Sequence, residues 1–149
     1  QPMFNAADTD DVSDYLEVCA DQDIAVCPYS PLAGGFLTGK YERADDGSVV
    51  APDGSRGTLS DLFEDRYTSE TAWDVLEAVE AVADEADATA AQVSLRWLME
   101  QERFTCVPIV GARTPDQLAE NVDAVDLELT AEQFGRIDDA RGADDGGYR

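Results

Sequence analysis

The chain has 149 residues, and its 10 basic against 33 acidic side chains give a formal net charge of −23. This length suits one domain, over residues 1–149, and 44% of the residues are hydrophobic, so we expect a buried core. The charge argues against nucleic acids and anionic membranes as partners, because their phosphates would be repelled. The absence of histidine excludes mechanisms in which this chain itself supplies an imidazole base, acid or metal ligand.

The choice of charged residues indicates an unusual environment. Lys40 is the only lysine, and the other basic residues are arginines. Acid-rich, lysine-poor surfaces suit concentrated salt, where a Debye length of about 3 Å at 1 M screens the repulsion between carboxylates. Three cysteines without Cys-x-x-Cys spacing predict buried free thiols in a reducing compartment. We therefore expect a cytoplasmic protein of a halophile, and we find no apolar run or signal peptide that indicates a membrane.

The first third of the chain predicts a strand, a helix and a second strand. Residues 1–5 look like a strand, and apolar residues at helical spacing predict a helix over about 10–21 with one buried face. The apolar run 24–27 predicts a strand covered on both faces, as in a parallel sheet. Residues 41–69 carry glycine, proline and charge without clear periodicity, which predicts a long mobile loop.

Two helices and a strand are predicted next. The apolar spacing from Val75 to Ala86 predicts a helix, and Thr89-x-x-Gln92 is a capping box that opens another. That second helix is expected to bury three side chains, which are Val93, Trp97 and Leu98. Residues 106–110 predict another buried strand.

The last part of the chain predicts two more helices. Thr114 at the N-cap and Pro115 at the first helical position start one, whose expected buried side chains are Leu118, Val122 and Val125. Thr130-x-x-Gln133 opens the other. The order of elements predicts an α/β layer with parallel crossovers, but three strands would leave two unpaired edges, so the sheet looks unfinished.

Residues 29–40 form the first candidate site, at the point where a predicted strand ends. Three glycines allow close backbone approach to a phosphate, the hydroxyls of Ser30 and Thr38 are donors, and Lys40 adds a positive charge. The spacing from Gly34 to Lys40 excludes a Walker loop. On composition alone, a tight loop with a solvated lysine explains the segment about as well.

Residues 111–121 form the second candidate site. Arg113 beside a helix N-terminus is suited to an anion, and Gln117, Glu120 and Asn121 lie on one face of that helix. Gln117 is also the third residue of a Thr-x-x-Gln capping box. The capping-box spacing therefore favours a structural role for Gln117.

The other polar and aromatic residues are predicted to have structural roles only. Adjacent acids are expected in so acidic a chain and predict a solvated surface rather than a metal or acid–base site. No basic groove accompanies the larger aromatic residues, so we expect core or loop anchors rather than stacking platforms. These residues are the pairs Asp10-Asp11, Asp45-Asp46 and Asp138-Asp139, and the aromatic residues Phe63, Trp73, Trp97 and Phe134.

Two segments resemble the carboxy-terminal half of the aldo-keto reductases. Tyr-Ser-Pro-Leu-Ala-Gly-Gly-x-Leu-Thr-Gly-Lys-Tyr at 29–41 and Val-Pro-Ile-Val-Gly-Ala-Arg-Thr-Pro-Asp-Gln-Leu-Ala-Glu-Asn-Val at 107–122 are similar to the bacterial and potassium-channel β-subunit-like branch of that family. Residues 1–5 look like its sixth strand. The resemblance implies the carboxy-terminal part of a (β/α)8 TIM barrel, with strands six to eight and their helices, which would account for the unfinished sheet.

The resemblance also implies a cofactor, NADP(H), and a residue set that holds it. By position, Gln1 would bind the nicotinamide carboxamide and Tyr29 would stack on its ring. The pyrophosphate would lie along Ser30, Pro31, Leu32, Ala33 and Gly34, with Lys40, and as a further candidate Arg43, reaching over it. The 2'-phosphate would meet Gly111, Ala112, Arg113 and Gln117, and the adenine would meet Glu120 and Asn121.

The resemblance implies an oxidoreductase that reduces small-molecule aldehydes or ketones. The family's catalytic tetrad of Asp, Tyr, Lys and His lies in its amino-terminal half, so we expect no catalytic residue here and no activity of this chain alone. Its expected partner is the missing amino-terminal half-barrel, or a second copy by self-association. The alternative is a non-catalytic nucleotide-binding or interaction module, and a weaker third hypothesis is a flavodoxin-like domain that binds flavin.

Overall fold

The computed structural model describes residues 1–8, 12–44, 48–53, 55, 67 and 69–142. The helices are α1 (Ser13–Asp21), α2 (Glu70–Ala86), α3 (Ala90–Met99), α4 (Pro115–Asp123) and α5 (Ala131–Ala140), with 3-10 turns at Ala33–Thr38 and Ala124–Asp126. Two short strands, β1 (Glu42–Arg43) and β2 (Val49–Val50), pair antiparallel. Among the described helices, none has the length and apolar character needed to cross a membrane.

Three stretches of chain run parallel to one another, and we call them the first (residues 2–3), middle (26–29) and last (105–109) parallel segments. Met3 pairs with Tyr29, and Val26 pairs with Cys106, in isolated parallel bridges. Val26 donates to Thr105 O at 2.8 Å and accepts from Val107 N at 2.8 Å. The first and middle segments are parallel, as the predicted strand–helix–strand unit requires, and the middle segment lies between the other two. The pairing is too short to form regular strands.

The core lies where α2, α3 and α5 pack together. Trp97 is fully buried, with its ring centroid 5.6 Å from that of Phe4 and 5.9 Å from that of Phe134. Its indole Nε1 donates to Asp138 Oδ1 at 2.9 Å. Trp97 and Phe134 are core anchors as predicted, whereas Asp138, expected at a solvated surface, serves as a hydrogen-bond acceptor for the core.

The helix starts follow the sequence closely. Thr89 and Gln92 form the predicted capping box of α3, and Thr130 and Gln133 form that of α5, each with both hydrogen bonds. Ser69 caps α2 by accepting from Ala72 N. A Thr-x-x-Gln signature needs only local backbone geometry, which explains why sequence alone located it.

The loop predicted over 41–69 is not entirely irregular. Its first part forms the β1–β2 hairpin, which the low apolar periodicity did not reveal. Several predicted features lie outside the described residues: Phe63, the pairs Asp10-Asp11 and Asp45-Asp46, and most of 54–68.

Four burial predictions are wrong in whole or in part. The predicted buried face of the first helix buries Leu16, but Tyr15 on that face is 68% exposed. Helix α4 forms as expected, but its Leu118 and Val122, and Val125 just beyond it, are 50–58% exposed. The predicted buried strand at 106–110 buries Cys106 but exposes Val107, Ile109 and Val110, and Ile24 is exposed beside the middle segment. In the part of the chain that the structure describes, no further strand or helix covers these side chains. They are therefore exposed although they are apolar.

Candidate functional site

Both candidate loops leave the parallel segments at the same end. Ile109 N donates to Pro28 O at 2.9 Å, so the middle and last segments run in register up to that level. Tyr29 ends the middle segment and leads directly into the 30–40 loop, and Gly111–Thr114 comes after the last segment. In parallel α/β layers this carboxyl end is where ligands bind.

The first loop turns sharply on a run of left-handed residues. Ser30 has φ 54° and Ala33 has φ 51°, and Gly34 and Gly35 follow with φ 66° and 98°. The Ser30 carbonyl accepts from Ala33 N at 2.9 Å, which closes the turn. Tyr29, at its start, is 49% exposed.

The first loop is anchored from below by apolar residues. Ala33, Phe36 and Leu37 are fully buried, and the Phe36 ring meets the Trp73 ring edge-on with centroids 4.9 Å apart. Thr38, expected to offer its hydroxyl to a phosphate, instead donates it to Gly35 O at 2.8 Å. Thr38 is therefore part of the scaffold of the loop.

Lys40 folds back against the first loop. A Cβ added to Gly35 would lie 2.5 Å from Lys40 Nζ, and the same ammonium lies 5.3 Å from the Tyr41 ring centroid. The lysine charge is thus held next to the glycine turn. Arg43, by contrast, donates from both terminal nitrogens to the Glu70 carboxylate, and this hydrogen bonding raises the pKa of Arg43 and lowers that of Glu70.

The second loop presents a positive charge at the start of α4. Gly111, Ala112 and Arg113 are exposed, and Thr114 Oγ1 accepts from Gln117 N at 3.2 Å as the helix N-cap. Gln117 Oε1 accepts from Arg113 N at 2.9 Å, one residue earlier than a capping box requires. The Gln117 carboxamide oxygen therefore stabilises the loop before α4. Gln117 itself is exposed, like Gly111, Ala112 and Arg113.

The far end of this second site is less accessible. Asn121 is 9% exposed and Glu120 is half-buried. The Glu120 carbonyl accepts from Gln92 Nε2 at 3.3 Å, which ties α4 to the start of α3. These two residues follow Gln117 on one helix face, as the spacing predicts.

Gln1 and Tyr29 line one groove with a volume of about 460 Å³. Its other walls are apolar and come from the first and middle parallel segments, from α1 and from Val12 just before α1. The structure thus brings the two proposed nicotinamide residues to one surface.

Among the residues that the structure describes, the cysteines and the potential metal ligands indicate no second site. All three cysteines are free thiols, and burial raises the pKa of Cys106 to about 12, while Cys19 and Cys27 are half-buried. No cluster of three potential metal ligands occurs within the described ranges.

Sequence reasoning missed one residue of the site, Asn5. It is fully buried, and its Nδ2 donates to Ser30 O at 3.1 Å. The available signal was an asparagine directly after a predicted strand and before two alanines, a position where asparagine commonly hydrogen-bonds to nearby backbone.

A comparison with protein families matches the chain to the Aldo/keto reductase family over residues 1–141. An uncharacterised oxidoreductase of Mycobacterium tuberculosis is 35% identical over 142 residues, which is 94% of this chain and 41% of that protein. A putative voltage-gated potassium channel subunit beta of Schizosaccharomyces pombe is 33% identical over 93% of this chain and 40% of its own. L-glyceraldehyde 3-phosphate reductase of Escherichia coli O157:H7 is 31% identical, with the same coverage.

Among solved structures, a thermostable aldo-keto reductase crystallised with the inhibitor epalrestat superposes with a TM-score of 0.59 and 24% identity, over 93% of this chain and 38% of its own. This likeness concerns the fold. The flavodoxin-like hypothesis is wrong, because the family match covers nearly the whole chain. The chain spans about two fifths of the length of these curated relatives.

Proposed function

Because this chain belongs to the aldo/keto reductase family, we propose that it is the carboxy-terminal, NADP(H)-binding part of a (β/α)8 oxidoreductase that reduces aldehydes or ketones. The observation that carries the proposal is the placement of two loops at one end of in-register parallel segments. One loop holds Lys40 against a glycine turn, and the other presents Arg113 at a helix N-terminus. Both features suit phosphate groups.

The residues present fit a dinucleotide phosphate. Tyr29 offers an exposed ring for the nicotinamide, and the turn at residues 30–34 offers backbone at close range. A Cβ added to Gly111 would contact nothing within 4 Å, so this position is open to a bound group. Arg113 and the Gln117 amide would receive the 2'-phosphate, which distinguishes NADP(H) from NAD(H). The bound cofactor would supply a hydride.

The sequence holds no histidine and so lacks a member of the family tetrad. We propose that the proton donor and the residues that tune its acidity come from outside these 149 residues. This chain would bind and orient the cofactor, and Gln1 and Tyr29 would set which face of the nicotinamide meets the substrate.

We propose that the partner is the amino-terminal part of the same barrel. Exposed apolar side chains lie on elements next to both outer parallel segments. Tyr15 and Val18 lie on α1, which follows the first segment, and Val107, Leu118 and Val122 lie on the last segment and on α4, which follows it. Parallel sheets normally bury both faces. Three segments from each of two copies give six strands, whereas the barrel needs eight, so self-association is the weaker alternative.

The cofactor assignment is tested by titrating the chain with NADP+ and with NAD+ in a calorimeter. The Arg113→Ala variant should weaken NADP+ binding by about tenfold or more, the scale of one charge-assisted contact, and NAD+ binding far less. Arg136→Ala is the matched control, because Arg136 pairs with Glu85 away from both loops. Equal weakening of both nucleotides by Arg113→Ala contradicts the 2'-phosphate assignment.

The partner assignment is tested by mixing the chain with the amino-terminal half of a full-length relative and assaying carbonyl reduction. Activity on mixing supports the enzyme. Nucleotide binding by a stable homodimer that gives no activity on mixing supports the non-catalytic module. Leu118→Asp should reduce reconstitution, because it places a charge on the proposed contact face.

We also propose that the protein works in the cytoplasm of a halophile. A net charge of −23 on 149 residues favours this setting. The unfolding temperature should rise between 0.1 and 2 M KCl, as the Debye length shortens from about 10 Å to less than about 3 Å. A falling unfolding temperature contradicts the proposal.

A further inference from the structure

Asn5 is a fully buried polar residue whose carboxamide is engaged at both ends. Its Oδ1 accepts from Ala7 N at 3.0 Å and from Asp8 N at 2.9 Å, and its Nδ2 donates to Ser30 O at 3.1 Å. The two N–H donors fix the orientation of the amide, since only its oxygen can accept them. The oxygen therefore shapes the turn after the first parallel segment, and the nitrogen reaches across to the next loop.

Ser30 is the residue where that loop departs from the middle parallel segment. Its φ of 54° is a left-handed conformation that a serine rarely holds without support from its surroundings. Its carbonyl accepts from Ala33 N at 2.9 Å as well as from Asn5, so two donors orient the Ser30–Pro31 peptide. The left-handed run from Ala33 to Gly35 starts from this orientation.

We propose that Asn5 is a positioning residue for the cofactor loop: its Nδ2 holds the Ser30 carbonyl and so keeps residues 30–35 in the conformation that receives the cofactor pyrophosphate. The role of the loop rests on the proposed function. Asn5 itself acts only through Ser30. A preordered loop binds more tightly, because less conformational entropy is lost on binding.

The substitution Asn5→Asp separates the two ends of the side chain. It keeps an oxygen for Ala7 N and Asp8 N, but it replaces the donor to Ser30 O with an oxygen that cannot donate when ionised. Gln101→Glu is the matched control. Gln101 is also buried, and its Nε2 donates to a backbone carbonyl, Trp97 O, at 3.0 Å.

The experiment measures three quantities on the full 149-residue chain: urea unfolding, amide hydrogen exchange over residues 32–35, and NADP+ affinity. Both variants should lose stability, because each loses a buried hydrogen bond. Only Asn5→Asp should speed exchange in residues 32–35 and weaken NADP+ binding, by about tenfold. A role limited to general stability would give the same result in both variants.

Unchanged exchange over residues 32–35 in Asn5→Asp overturns the proposal, whether or not NADP+ binds. Faster exchange with unchanged NADP+ affinity also overturns it, because loop order then does not serve binding. If the unaltered chain fails to bind NADP+, the proposed function fails instead, while faster exchange still supports Asn5 as the residue that orders the loop. Should Asn5→Asp not fold, Asn5→Ser replaces it, since a serine hydroxyl is too short to reach Ser30 O, and the same outcomes apply.

Discussion

Helices α3 and α4 begin alike and end in opposite surroundings. Each has a threonine N-cap that accepts a hydrogen bond from a glutamine N–H three residues later. Helix α3 then buries Val93, Leu95, Trp97 and Leu98, whereas Asn121 is the only residue that α4 buries. The apolar spacing of α4 is nevertheless as regular as that of α3. A sequence pattern thus defines an apolar face, and the rest of the molecule decides whether anything covers it.

The largest expected difference between the two helices is in core truncation. Trp97→Ala should lower the free energy of unfolding by about 3–5 kcal/mol, because it removes a fully buried ring and the donor to Asp138. Leu118→Ala on α4 should change it by less than about 0.5 kcal/mol, because that side chain is half exposed. Urea unfolding of both variants measures the contrast. Similar losses would mean that α4 is covered in solution.

The caps of the two helices provide a smaller contrast. Thr89→Ala should cost about 1 kcal/mol in urea unfolding, since α3 is integral to the core. Thr114→Ala removes an equivalent hydrogen bond, but α4 can fray locally, so the global loss should be smaller. Hydrogen exchange at the first turn of α4 should detect that local opening. Equal global losses would show that α4 unfolds together with the core.

The smallest effects concern pH and compare two acids on α2. Burial, together with Asp84 and Glu77, raises the pKa of Glu80, whereas hydrogen bonds from Arg136 and Gln133 lower that of Glu85. The raised pKa means that folding disfavours the Glu80 carboxylate at neutral pH.

Glu80→Gln should therefore raise the unfolding temperature at pH 7, and the gain should vanish as the pH falls below the ordinary glutamate value of 4.5. Glu85→Gln should lower the unfolding temperature at pH 7. Its loss also disappears in acid, because protonation removes the carboxylate that Arg136 stabilises in the unaltered protein. Thermal unfolding of both variants between pH 3 and 7 tests the pair. Effects of equal sign at pH 7 would contradict these assignments.

Local signals in the sequence predicted much of the fold. The capping boxes at Thr89 and Thr130 depend on neighbouring residues alone, and both form. The helix at 70–86 follows from its apolar spacing, and its buried face includes Val75, Val79 and Val82. The tight loop at 29–40 was visible from its glycines, and five left-handed residues in it, Ser30, Ala33, Gly34, Gly35 and Gly39, form its turns.

Features that depend on distant residues could not be predicted in this way. Val107 and Leu118 are exposed because no other element packs on them in the part of the chain that the structure describes. The spacing of apolar residues does not predict which elements pack together. Thr38 was expected to face a ligand, but its hydroxyl donates to Gly35 O because the loop folds back on itself. Asn5 meets Ser30 across the parallel segments, a contact between residues 25 positions apart.

The single bridge between Val26 and Cys106 has a consequence for how the chain folds. This pairing closes a loop of about 80 residues that contains α2 and α3, so it carries a larger chain-closure entropy than any helix does. Contacts of such long range slow folding, and we expect the helices to form before the parallel segments align. Val107 and Ile109 are exposed before this alignment and stay exposed after it, so we expect them to be a site of aggregation with other nascent chains.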